Sequence, residues 1–113
     1  MLKTEITTKC APTYTAEIYM AGDYNQAKHL LQKMAATQGM CVSIEHVDYI
    51  YTGGAERGFV VRLINYPRFP SVSSDVKDFA VRIAESLIMD LGQGSCTIVC
   101  SDETIFMSRR END

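Results

Sequence analysis

Ser74-Asp-Val-Lys-Asp-Phe-Ala-Val-Arg-Ile-Ala-Glu-Ser-Leu-Ile-Met-Asp-Leu-Gly92 carries the strongest periodic signal in the sequence. Val76, Phe79, Ala80, Ile83, Ala84, Leu87, Ile88 and Leu91 recur at three- and four-residue steps, so a helix here has one broad apolar face. Ser74 is placed to cap it, and Gly92 and Gly94 to end it. Such a face needs a second layer. The flanks supply strands: residues 59–66 before the helix, residues 95–100 after it, and residues 104–108 beyond a tight turn at Ser101-Asp-Glu103.

Working upstream, Tyr14, Ala16, Ile18 and Met20 alternate with polar neighbours, the mark of a half-buried strand. Asp23 and Gln26 form a capping box for a first helix with its stripe on Ala27, Leu30, Leu31, Met34 and Ala35, and Gly39 is placed to end it. Residues 40–51 alternate again. A change of phase near Glu45-His46 predicts a bulge or bend. Residues 52–58 hold three glycines and read as a long hairpin tip, while Pro67 and Pro70 stop the strand that follows. The order is β-α-β-β-α-β-β: an α+β two-layer sandwich, mostly antiparallel, with two helices on one face. Residues 1–113 read as a single domain, with residues 1–12 as an edge strand or arm and 111–113 as a frayed tail.

Of 113 residues, 46% are apolar and 22% charged, which is ordinary for a folded domain, and the net charge of −3 argues against a grip on duplex nucleic acid. No apolar run approaches the ~18 residues that cross a bilayer, and the first residues carry no secretory core. The cytosol is the expected compartment. Cys96 and Cys100 on one strand would lie roughly 13 Å apart, too far for a disulfide or a shared metal. Neither His29 nor His46 has a ligand partner at metal-binding spacing, so no metal and no cofactor are expected. No nucleophile elbow, zinc-protease motif or phosphate-binding loop is present, and a binding rather than catalytic chain is expected.

Two segments hold candidate binding residues. Gly53, Gly54 and Arg57 could offer backbone N–H groups and a guanidinium fork to phosphate oxygens, although a plain hairpin accounts for the same residues. In Ile64-Asn-Tyr-Pro-Arg-Phe-Pro70, Tyr66 and Phe69 supply stacking faces, Asn65 an amide for a base edge and Arg68 a charge. The alternative there is a crossover whose aromatic residues plug the core edge. Arg109 and Arg110 add positive potential near the C-terminus.

Tyr49-Ile-Tyr-Thr-Gly-Gly-Ala-Glu-Arg-Gly58, Leu63-Ile-Asn-Tyr-Pro-Arg-Phe-Pro70, Ile18-Tyr-Met-Ala-Gly-Asp23 and Phe106-Met-Ser-Arg-Arg110 together resemble the Thoeris anti-defence sponges of the first type, small phage and prophage proteins. The resemblance spans about residues 14–110. It implies a protein that sequesters a cyclic ADP-ribose isomer without degrading it, some members also taking up cyclic di- and trinucleotides. It further implies a homo-oligomer with its pocket where subunits meet, in line with the breadth of the second helix's apolar face. The ligand-binding set it implies is Gly53, Gly54, Arg57, Asn65, Tyr66, Arg68, Phe69 and Arg109. Two other readings stay open: a protein–protein interaction module that inhibits a host enzyme, and a small nucleotide hydrolase.

Overall fold

A computed structural model of the chain describes residue 2 and residues 4–110. The elements form in the expected order: β1 (Thr15–Ala21), α1 (Tyr24–Thr37), β2 (Ser43–Tyr51), β3 (Gly54–Ile64), α2 (Ser73–Leu91), β4 (Ser95–Cys100) and β5 (Thr104–Ser108). Their sheet runs β2-β3-β1-β4-β5 with every neighbouring pair antiparallel. Each helix links two strands that have a third between them, the split β-α-β arrangement. Of the edge strand or arm expected over residues 1–12, residue 2 and residues 4–12 are outside any strand; residues 111–113, expected as a frayed tail, lie outside the described residues. Among the described residues no helix is long and apolar enough to cross a membrane.

Both helices cover the sheet face that presents Ala16, Ile18 and Met20 of β1, Phe59, Val61 and Leu63 of β3, and Cys96 and Ile98 of β4. From α2 come Val76, Ala80, Ile83, Ala84, Leu87 and Ile88, all buried. Each large side chain among them contributes about 1.5–3 kcal/mol by leaving water. The broad stripe of α2 is thus consumed by the chain's own sheet. Ala80 and Ala84 are fully buried there, so this stripe is not a face left over for a second copy.

Helix ends follow local rules with two exceptions. Asp23 caps α1 as expected, its Oδ1 accepting the Gln26 N–H at 2.9 Å. Gly92, at φ 67°, ends α2 in the left-handed turn that glycine adopts without strain. Gly39 does not end α1: the helix stops at Thr37, and Gln38 is already extended with its N–H on the Met34 carbonyl. Nor does Ser74 cap α2. The helix starts two residues earlier, after Val72, because Asn65 holds the approaching chain through the Ser71 N–H.

The phase change in β2 has a different origin from the bulge it suggests. Pairing with β3 is continuous from Ser43↔Arg62 to Tyr51↔Gly54. Ile44 packs toward the helices, but further along it is Val47 and Tyr49, on the opposite face, that are partly buried. The covered side changes while the register does not. The expected long tip is absent for a similar reason: the Tyr51↔Gly54 pair leaves only Thr52-Gly53 as the turn, and residues 54–58 belong to β3.

Candidate functional site

Asn65 organises the crossover between β3 and α2. Its N–H donates to the Tyr14 carbonyl at 2.9 Å, its Nδ2 donates to the Pro12 carbonyl at 2.8 Å, and its Oδ1 accepts the Ser71 N–H at 2.6 Å. The side chain is buried and its amide is fully used within the chain. Just beyond this anchor the chain turns at Pro67-Arg68, with Phe69 N–H closing onto the Tyr66 carbonyl at 3.1 Å. The two rings meet at 5.5 Å between centroids, tilted by 39°.

That turn forms one rim of a cleft of about 520 Å³. Met40 and Cys41 after α1, Leu63 and Ile64 of β3, and Asp75, Val76, Phe79 and Arg82 of α2 line the rest of it. The size is that of a small-molecule site, and its walls are mainly apolar with a few polar groups. Cys41 is exposed before β2, and its thiol reaches the Tyr66 hydroxyl at 3.4 Å. This contact, reinforced by burial, raises the hydroxyl's pKa above its ordinary value, so Tyr66 stays protonated. The Arg82 guanidinium lies 5.4 Å over the Phe79 ring.

A second cleft, of about 560 Å³, opens at the far end of the sheet between the start of α1 and the β2–β3 ribbon. Arg57, Gly58, Asp48 and Asp23 line it, beside Tyr24 and His46, whose rings stack at 3.7 Å. Among the described residues, no group of three or more His, Cys, Asp or Glu side chains is placed to hold a metal ion.

The candidates from the sequence therefore divide. Tyr66 and Phe69 line the first cleft; Arg68 is exposed on the same turn without being one of the cleft's lining residues. Arg57 belongs to the second cleft, roughly 23 Å away along β3 by strand rise. Gly53 is in the hairpin turn and Gly54 is paired to Tyr51, so the cradle of consecutive free N–H groups expected there is replaced by a strand ladder. Arg109 sits past β5, its N–H on the Gly94 carbonyl at 3.0 Å and its Nη1 on the Met89 sulfur at 3.5 Å. Asp75 and Arg82 were not among the candidates from the sequence, and Phe79 was read there only as part of the apolar stripe. Their spacing of four and three residues along the flank of the α2 stripe was the available signal, hidden by the stronger apolar face beside it.

Fold and cleft define a class: a split β-α-β sandwich with an aromatic-walled pocket at the crossover. No family model matches the sequence, and no curated protein matches it. Two solved structures do share its fold. One is titled a phage SAM lyase in the apo state; it is 12% identical, has a TM-score of 0.73, and the match covers 96% of this chain and 100% of that one. The other is titled a phage SAM lyase in complex with S-methyl-5'-thioadenosine, at 11% identity, TM-score 0.73, and coverage of 97% and 100%. At these identities the likeness establishes a shared fold. It also corrects the expectation of a chain without catalysis, because both neighbours on this fold are named as enzymes. The phage setting of the resemblance agrees with these neighbours; the sponge type does not appear among them.

Proposed function

We propose that the chain is an enzyme that binds S-adenosylmethionine in the crossover cleft and splits it at the sulfonium, releasing S-methyl-5'-thioadenosine. One observation supports the reading above others: a cleft of about 520 Å³ with Tyr66, Phe69 and Phe79 in its walls, on a fold shared end to end with phage SAM lyases. Aromatic faces stack on a purine and attract a cation, and the sulfonium nucleoside offers both.

The chemistry asks little of the protein. The bond from sulfur to the amino-acid chain breaks, its electron pair goes to sulfur, and the cation leaves as a neutral thioether. The carbon left behind bonds to an oxygen of the substrate's own carboxylate, closing a lactone, so no water is consumed. Two opposite charges cancel as the ring closes. Met40, Leu63, Val76 and Phe79 give the cleft apolar walls, and replacing water around those charges favours the step that removes them. A scaffold that folds the substrate and dries it needs no catalytic motif of the kind sought in the sequence.

The test is to incubate the full chain with excess S-adenosylmethionine and separate the products by reversed-phase chromatography. We expect more S-methyl-5'-thioadenosine than protein on a molar basis, with Tyr66→Ala and Phe69→Ala each slowing its formation about 5- to 150-fold, as lost stacking of 1–3 kcal/mol implies. Recovery of intact S-adenosylmethionine from the native chain would sink the reading.

A further inference from the structure

Asp75 and Arg82 lie two turns apart on the same side of α2, both exposed, and both line the cleft. Helical side chains lean toward the N-terminus, and Arg82 does so, placing its guanidinium over Phe79 at 5.4 Å. Phe79 in turn is one turn beyond Asp75, about 6 Å along the surface. The guanidinium therefore lies on the Asp75 side of its own backbone, and both charged side chains line the same cleft. Neither side chain has an ion-pair partner among the described residues, and they do not pair with each other. The contact with Phe79 is made by the guanidinium as a cation over the ring, and a guanidinium in such a place can still offer its N–H fork to a carboxylate.

We propose that Asp75 and Arg82 are an open charge pair that selects the zwitterionic amino-acid end of the nucleoside, Asp75 taking the ammonium and Arg82 one carboxylate oxygen. The inference rests on the function proposed above and adds to it a reason for turnover. An α-amino acid carries both charges on one carbon and can offer each of these side chains a charge-assisted hydrogen bond. S-methyl-5'-thioadenosine carries neither charge. Cleavage of the carbon–sulfur bond therefore frees the nucleoside product from both anchors, and the cleft prefers substrate to product.

Equilibrium titration of the full chain with two uncleavable probes tests this. S-adenosylhomocysteine keeps the zwitterion but has a neutral sulfur; S-methyl-5'-thioadenosine lacks the zwitterion. The native chain is expected to bind the first at least tenfold more tightly. Asp75→Asn and Arg82→Gln should each reduce that preference to threefold or less with S-methyl-5'-thioadenosine affinity unchanged, and Arg82→Lys should keep part of it. Equal affinity for the two probes in the native chain overturns the charge-pair inference alone, whether or not any variant folds, and so does a preference that survives both substitutions. Binding of neither probe overturns the proposed function along with it.

Discussion

Gly58 is where β3 passes beneath Tyr49. A Cβ there would sit 2.3 Å from Tyr49 Cε2 and 2.4 Å from the Met20 carbonyl oxygen, distances no side chain tolerates. The carbonyl belongs to β1 and cannot retreat without breaking the pairing of Ala21 with Gly58. Gly58→Ala is therefore expected to destabilise the fold by about 3 kcal/mol or more, as overpacking against backbone does. A urea midpoint unchanged from the native chain would refute the contact. In the sequence Gly58 looked like one of several loop glycines, and nothing local marks it as the one under a ring. Asn65 teaches the converse: an amide just before two aromatic residues and two prolines looked available to a ligand, yet two hydrogen bonds to the chain engage both its ends and a third holds its backbone N–H.

At the scale of elements, α2 begins without a side-chain cap. Val72 holds the N-cap position with extended dihedrals of −84° and 159°, and makes no capping bond. It is 60% exposed, so little packing depends on it. Val72→Ser places a hydroxyl where it can accept a first-turn N–H, and a gain of about 1 kcal/mol is expected. Calorimetry showing a lower Tm for the variant would contradict the cap geometry. The helix itself was legible from its stripe alone; its start was not. Ser74 is a good cap by type, but the Asn65 bond to Ser71 fixes the approach of the chain and moves the start upstream. The far side of the helix is tied differently, where Lys77 reaches Asp102 at 2.9 Å and Glu103 at 3.3 Å in the β4–β5 turn.

Across the whole molecule, two titrating groups on opposite faces of the sheet set the alkaline limit. Burial pushes Cys96, under the helices, from 9.0 up to about 11. Burial likewise pushes the Tyr49 hydroxyl, on the uncovered face and donating to the Phe59 carbonyl at 2.9 Å, from 10.0 up to about 12. In both cases the folded chain holds its proton more tightly than the unfolded one. The stabilisation is then complete below pH 9 and lost as pH rises through 9–11 for Cys96 and 10–12 for Tyr49. A loss on the order of 2 kcal/mol from each group is expected at the top of its window. Urea midpoints should fall between pH 8 and 11, and Cys96→Ala should flatten the first part of the fall. A midpoint that holds steady over that range would contradict the burial of both groups.

Periodicity is a property of neighbours along the chain, and it sufficed for seven elements, their order and the apolar face of each helix. The candidate rings Tyr66 and Phe69 were legible for the same reason, being adjacent in a stiffened segment. Whether Arg57 could join them was not a local question. An extended β3 holds it at the other end of the sheet, while the seam between α1 and α2 brings Asp75, Phe79 and Arg82 to the rings instead. Which side chains share a cleft, which glycine lies under a ring and which amide is already occupied depend on contacts between distant segments, and only the packed chain decides those.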